Sequence, residues 1–177
     1  SNELKNFFPK IGGLQNIEIT DISDRDAGYI TTKWSNATST GGFGSNETFV
    51  DTDFPLFRLA DVYLMYAEAH LRGDGGTATI AAGYLTDIRT RSNNTNTIST
   101  ADLSLDFILD ERSRELYWEG LRRTDLIRYN RFTNSSYLWP FKGNEPTGVG
   151  VDEYRNLFPL PANVVAINSN LTQNEGY

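Results

Sequence analysis

Cysteine is absent from this 177-residue sequence, and histidine occurs once, at His70. Without cysteine there is no disulfide, iron–sulfur cluster, Cys-ligated zinc or thiol nucleophile, and a single histidine excludes a His-rich metal site. No apolar run approaches the roughly 18 residues that a membrane-spanning helix needs. Basic residues are also few, since 16 Lys and Arg face 23 Asp and Glu and give a formal net charge of -7. That balance argues against nucleic acid or an anionic membrane surface as a partner.

The remaining composition, 38% hydrophobic and 22% charged, is that of a soluble globular protein. We predict one mainly α domain over residues 1–177. Residues 1–52 are rich in Gly, Ser, Thr and Asn, which favours loops and short strands. Residues 53–131 should hold the helices, and the prolines within 132–177 favour a long, extended tail. The predicted strands are Ile17–Ile22 and Tyr29–Trp34.

The first predicted helix runs from Leu56 to Arg72, with Asp53 as its N-cap and Pro55 in its first turn. A glycine-rich turn separates it from a second amphipathic helix, Thr77–Arg91. The pair forms a helix hairpin of the tetratricopeptide type, without a second copy at the repeat period of about 34 residues. The predicted buried face of the first helix consists of Leu56, Leu59, Ala60, Tyr63, Tyr66, Ala67 and His70. Its predicted exposed face consists of Arg58, Asp61, Glu68 and Arg72.

A third predicted helix, Ser104–Glu119, carries the most unusual charge pattern, and a fourth, Leu121–Arg131, follows it. Glu111, Glu115 and Glu119 recur every fourth residue and would form one stripe. Like charges at this spacing repel by about 0.2–0.5 kcal/mol per pair, so the stripe needs cations. One hypothesis is a metal site or a pair of glycosidase carboxylates. The other is a network of structural ion pairs, which the many nearby arginines favour.

Aromatic residues in the polar loops are the candidate ligand contacts. Trp34 and Tyr29, together with the amide of Asn36, offer ring faces for sugar C–H groups and polar atoms for hydroxyl groups. The alternative is that these rings cover the core beneath the loops. We predict such a covering role for the apolar run Tyr137–Phe141. His70 is predicted to be a hydrogen-bonded histidine at the edge of the core and not a catalyst.

Three segments in order resemble signatures of the SusD/RagB family. The first is Phe54–Ala69 and the second is Glu111–Tyr129. The third is the tail, with Leu157–Pro161 and Asn168–Tyr177, and the resemblance covers about residues 47–177. The sequence departs from the family at Ser169 and Glu175, where proline is usual.

The resemblance implies a protein that binds glycans or other nutrients without catalysis and without a cofactor or metal. Such proteins are lipoproteins exposed on the outer membrane of Bacteroidetes, and they act with a SusC-like TonB-dependent transporter. This chain would be the C-terminal part of one, with the lipidated cysteine and most glycan-contacting loops outside it. The residues that would form structural ion pairs are Glu111, Arg112, Glu115, Glu119, Arg122 and Asp125. A tetratricopeptide-like interaction scaffold and a glycosidase remain the alternatives.

Overall fold

Helices supply most of the regular structure in the computed structural model, which describes residues 7–8, 19–21, 23, 28, 30–31, 33–34, 36–38, 40–46 and 48–177. The chain divides into two units, Ser1–Leu103 and Ser104–Tyr177. The mainly α fold with irregular loops is as predicted. The single domain over residues 1–177 stays a prediction.

The N-terminal unit is built on a helix hairpin of α1 (Leu59–Leu71) and α2 (Ala78–Arg91). Two strands, β1 (Phe7–Phe8) and β2 (Ile30–Thr31), pair antiparallel. β2 lies within the predicted strand Tyr29–Trp34. Of the predicted strand Ile17–Ile22, residues 19–21 are described, and they form no strand. A short 3-10 helix, Thr100–Asp102, ends the unit and begins with a capping box between Ser99 and Asp102.

Small side chains and a stacked tyrosine pair hold the two helices together. Ala67 of α1 and Ala81 of α2 are both fully buried, so the helices can approach closely. Tyr63 and Tyr84 stack with ring centroids 4.1 Å apart. In the connecting turn the Tyr66 hydroxyl accepts a hydrogen bond from the Thr77 amide at 3.0 Å. The Thr77 side chain in turn caps α2, which begins one residue after the predicted start at Thr77.

The first helix differs from its prediction in its start. α1 begins at Leu59, three residues after the predicted Leu56, and Arg58 at the N-cap position makes no side-chain cap. Asp53 and Pro55 lie in the irregular segment before it. Neighbouring Phe54 stacks on Trp34 with ring centroids 5.2 Å apart, so this segment makes a tertiary contact instead of a first helical turn.

The predicted faces of α1 are also partly wrong, although Ala67 is buried and Arg72 exposed as predicted. The helix buries Asp61 and Glu68, which were assigned to solvent, and leaves Leu59 62% exposed. Apolar residues occupy almost the whole circumference of α1, so their spacing cannot select the inner side. Glu68 can be buried because the Arg72 Nε donates a hydrogen bond to its carboxylate at 2.8 Å.

The C-terminal unit contains α3 (Leu105–Glu115), α4 (Arg122–Arg128) and α5 (Ala162–Ile167). The Ser104 side chain caps α3, which begins one residue after the predicted start at Ser104 and ends at Glu115 and not at Glu119. Trp118 and Gly120 have φ angles of +61° and +76°. A right-handed helix cannot continue through left-handed residues. α4 likewise ends at Arg128, before Asn130 turns left-handed at φ +55°.

Lys142 organises the irregular chain that follows α4. Its side chain is 3% exposed, and its amine donates to the carbonyl oxygens of Asn134 at 2.5 Å and Tyr137 at 2.8 Å. A third, longer hydrogen bond of 3.4 Å reaches the Arg131 carbonyl. Backbone groups outside helices and strands need other hydrogen-bond partners. Here one buried ammonium is the donor for three carbonyl oxygens. We call this arrangement the Lys142 clamp.

Replacing Lys142 with Met should lower the free energy of unfolding by about 1–3 kcal/mol, because buried carbonyl oxygens lose a charged donor. Urea unfolding of the variant and the parent measures the difference. Glu153→Met is the matched control, since Glu153 is an exposed charged residue of the same unit. Equal stability losses in the two variants would show that the Lys142 clamp contributes nothing specific.

Candidate functional site

Trp34 lies on a two-ring surface in the N-terminal unit, which we call the Trp34 platform. Its ring stacks on that of Phe54 with an interplanar angle of 29°. The Lys33 ammonium lies 5.6 Å from the centre of the Trp34 ring. Trp34 is half-buried, whereas Phe54 is 55% exposed. The platform therefore combines flat apolar faces with a nearby cation.

Asn36, a predicted ligand contact, uses its side-chain amide to bind the backbone of its own loop. Its side-chain oxygen accepts a hydrogen bond from the Asp51 amide at 2.9 Å. Its side-chain nitrogen donates to the carbonyls of Asn46 at 3.1 Å and Phe49 at 3.5 Å. A side chain at Gly44 would overlap the Asn36 amide, so the loop packs tightly around it. The amide holds the loop in shape, and its role in ligand binding stays a prediction.

Two other aromatic residues of the N-terminal segment, Tyr29 and Phe43, bear on this candidate site. Tyr29, the second predicted contact, lies outside the described residues. Phe43 was not among the predicted site residues, yet its side chain is 95% exposed. It forms an isolated bridge with Ala37, next to a hydrogen bond of 2.8 Å from the Thr38 amide to the Gly42 carbonyl. The glycines flanking Phe43 were the available signal for an exposed turn.

Asp51 closes the same loop through Ser45. The Ser45 amide and hydroxyl donate to the Asp51 carboxylate at 2.5 and 2.6 Å. The hydrogen bond from the Ser45 hydroxyl, and then that from its amide, lowers the pKa of Asp51 below the ordinary value of 3.8. A lowered pKa in the folded state means that the carboxylate stabilises the loop above pH 3.8 and that this contribution is lost as pH falls through the lowered pKa.

A carbon-detected NMR titration should therefore give a pKa for Asp51 below 3.8. In Ser45→Ala the hydroxyl donor is missing, so the pKa of Asp51 should move back toward 3.8. A parent value at or above 3.8, or an unchanged value in the variant, would contradict this hydrogen-bond geometry.

The second candidate site is the charged cluster of α3 and α4, which we call the arginine–carboxylate cluster. Asp125 accepts hydrogen bonds from Arg112 Nε at 2.8 Å and Arg128 Nη2 at 2.6 Å. Glu111 accepts from Arg114 at 2.7 Å. The side chains of Arg112, Asp125 and Glu111 are each no more than 5% exposed. Two buried carboxylates are thus held by arginines, as buried charges require.

Three members of the predicted network have other positions or partners. Glu119 lies beyond the end of α3, so the predicted stripe of three glutamates on one helix is wrong. Glu115 is the half-buried last residue of the helix. Arg122 donates to the Leu109 carbonyl at 2.9 Å and to the Tyr137 hydroxyl at 2.5 Å, and these are main-chain and phenol oxygens instead of carboxylates. A purely structural role for the cluster remains a prediction.

The remaining sequence candidates are also located. His70 is half-buried near the end of α1, and its Nδ1 donates to the Gly75 carbonyl at 3.0 Å, which confirms the predicted hydrogen-bonded histidine. In the run Tyr137–Phe141, Tyr137 and Trp139 are half-buried while Leu138 is 46% exposed. Over the described stretches of chain, no three Asp, Glu or His side chains gather as possible metal ligands. Within those same stretches, no helix has the length and apolar character to cross a membrane.

Asp125→Asn should destabilise the protein by about 3–5 kcal/mol, because it removes the charge that two arginines share in a buried place. The matched control is Asp106→Asn. Asp106 pairs with Arg131 at 3.0 Å, but its side chain is 75% exposed, so its loss should cost at most about 1 kcal/mol. Thermal and urea unfolding measure both, and similar losses in the two variants would contradict the assignment.

A family model and a curated relative both match this chain and point to the same family. A sequence model of the SusD family matches residues 20–177. The starch-binding protein SusD of Bacteroides thetaiotaomicron is 42% identical over 166 residues, which are 94% of this chain and 29% of that protein. The chain thus spans less than a third of the length of this relative.

Solved structures similar to this chain belong to the same superfamily. A SusD superfamily protein of Bacteroides thetaiotaomicron is 33% identical, with a TM-score of 0.53 over 68% of this chain and 27% of its own. A SusD superfamily protein of Parabacteroides distasonis is 26% identical, with a TM-score of 0.59 over 86% of this chain and 32% of its own.

Proposed function

This chain belongs to the SusD family, and we propose that it is part of a protein that binds glycans at the cell surface without catalysis. The observation that carries the proposal is the 42% identity to a starch-binding protein over nearly the whole chain. An α-glucan is therefore the first ligand class to test.

Within this chain the Trp34 platform is the proposed glycan contact. Sugar rings have apolar C–H faces that pack on aromatic rings, and carbohydrate sites combine such faces with a few polar groups. The Phe54 ring already fixes one side of Trp34. A side chain that is held in place before binding loses little conformational entropy when the ligand arrives.

The ionic chemistry of α3 and α4 supports binding without hydrolysis. A glycosidase needs one carboxylic acid to protonate the leaving oxygen and a second carboxylate at a set distance. Both Asp125 oxygens accept hydrogen bonds from arginines, and Glu111 is held by Arg114. These carboxylates are engaged in ion pairs, which favours a structural role for the arginine–carboxylate cluster.

We extend the proposal to the cellular setting that the family resemblance implies. The protein would be exposed at the outer membrane and would deliver its ligand to a SusC-like TonB-dependent transporter. Co-purification of the intact protein with such a transporter, from membranes of the source organism, tests this part separately from glycan binding.

A second candidate, a tetratricopeptide-like scaffold, is favoured by one observation. Leu59, Val62 and Met65 of α1 are 62%, 47% and 45% exposed and lie three residues apart on one side of the helix. In helix-hairpin arrays each hairpin buries such a face against its neighbour. Because the chain spans 29% of the length of SusD, we assign this face to another hairpin of the same protein and not to a separate partner.

Trp34→Ala in the intact protein should weaken maltoheptaose binding by about tenfold or more, because an aromatic anchor at a binding site contributes about 1–3 kcal/mol. Isothermal titration calorimetry measures the affinity. Phe57→Ala is the matched control, since Phe57 is an aromatic residue of the same unit that is 85% exposed and lies outside the platform.

Three results would contradict parts of the proposal. Unchanged affinity in Trp34→Ala would remove the platform from the site. Release of reducing ends from the glycan during the titration would show an enzyme. Binding to no member of a neutral and acidic glycan panel would contradict glycan binding itself and favour the scaffold.

A further inference from the structure

The C-terminal unit contains an open cavity of about 500 Å³, which we call the tail cavity. Its volume lies within the range of about 300–1,000 Å³ of small-molecule sites. Four aromatic rings line it, from Phe132, Trp139, Phe158 and Tyr177. A concave surface with this many ring faces is suited to a ring-shaped ligand.

The charge of the tail cavity is opposite to that of the whole chain. Arg123, Lys142 and Arg155 line it, and no Asp or Glu is among its lining residues. The chain as a whole has a net charge of -7. A local excess of three cations in an acidic protein gives a positive potential that favours an anionic ligand.

Arg123 is held in place by hydrogen bonds and by two aromatic rings. Its Nη2 donates to the carbonyls of Arg155 at 2.9 Å and Asn156 at 3.1 Å. Its guanidinium carbon lies 3.9 Å from the centre of the Phe158 ring and 5.0 Å from that of Phe132. Both hydrogen bonds come from one nitrogen, so the guanidinium retains donors for a carboxylate.

Lys142 and Arg155 add charge in different ways. The Lys142 amine is committed to the three carbonyls of its clamp and lies 4.6 Å from the centre of the Trp139 ring. It strengthens the field without offering a free donor. The Arg155 side chain is exposed and lies against the Tyr154 ring at 5.2 Å, so it can reach a ligand at the mouth.

Tail segments hold the walls of the cavity in place before any ligand binds. The Gln173 side chain makes two hydrogen bonds with the Leu160 backbone, at 2.8 and 2.9 Å. Asn174 donates to the Phe158 carbonyl at 2.7 Å, and the Tyr177 hydroxyl donates to the Leu157 carbonyl at 2.8 Å. Nevertheless the Phe158 side chain is 69% exposed. An exposed ring on a clamped backbone is the arrangement of a preorganised contact.

The opposite wall is equally constrained. Gly148 has φ +78°, and a side chain there would collide with the Trp139 carbonyl. Gly143 has φ +66°, and a side chain there would approach a methyl group of Val149 to 2.6 Å. This tight folding fixes the loop that carries Trp139 and Lys142.

We propose that the tail cavity binds a sugar acid, as the uronate residue of an acidic glycan. The carboxylate would be held by Arg123 and Arg155, and the apolar face of the sugar would pack on Phe158. The choice of a sugar rests on the proposed function, whereas the choice of an acid rests on the cavity itself.

The test is a calorimetric titration of the intact protein, which measures its affinity for trigalacturonate and for a hyaluronan tetrasaccharide. The methyl esters of both are the neutral counterparts, with the same rings and no carboxylate. We expect at least one acid to bind, and its ester to bind at least about tenfold more weakly, because a charge-assisted pair with arginine is lost. The affinity for the acid should fall as salt rises.

Arg155→Gln and Phe158→Ala should each weaken binding of the acid about tenfold. Phe57→Ala, in the other unit, should leave it unchanged. Circular dichroism identifies any variant that fails to fold, and Arg155→Lys, which keeps the charge but not the planar donors, should have an intermediate affinity.

Equal affinity for acid and ester, or parental affinity in both Arg155→Gln and Phe158→Ala, would overturn the inference. Binding of neither acid while maltoheptaose still binds would overturn it and leave the proposed function intact. Binding of no sugar at all would contradict both.

Discussion

Burying a carboxylate is costly unless a cation or several hydrogen-bond donors reach it, and the buried carboxylates of the C-terminal unit are placed accordingly. Asp125 of α4 is held by Arg112 of α3, 13 residues away, and by Arg128 of its own helix. α3 has only 11 residues and α4 only seven, and helices this short are marginal by propensity alone. Their position depends on this charge pairing and on the buried side chains of Ile108, Leu109 and Leu126.

A few polar side chains supply hydrogen bonds to the backbone of the irregular chain. Asn36 satisfies three main-chain groups of its loop, and the Lys142 clamp satisfies up to three carbonyls. Gln173 pairs with both backbone groups of Leu160. A large share of this fold lies outside helices and strands, so these side chains replace the hydrogen-bond ladders of regular structure. That is why a loop-rich tail can present fixed walls to a ligand.

The sequence predicted what depends on neighbouring residues and missed what depends on distant ones. The starts of α2 and α3 lie within one residue of the predicted Thr77 and Ser104, because a helix start depends on residues that are close in sequence. The end of α3 was missed because Trp118 adopts a left-handed conformation that its residue type does not favour.

The candidate sites show the same division. Arg112 belonged to the predicted network, whereas Arg114 and Arg128, which also hold carboxylates of that network, did not. The position of Glu119 depended on where α3 ends. The loop-holding role of Asn36 was missed because its partners, ten to fifteen residues away, leave no local signal. The tail cavity brings together residues from Arg123 to Tyr177 and has no sequence motif. The burial of Lys142 also affects chemical labelling, because reagents that couple to amines will spare it and a labelled protein keeps this charge of its tail cavity.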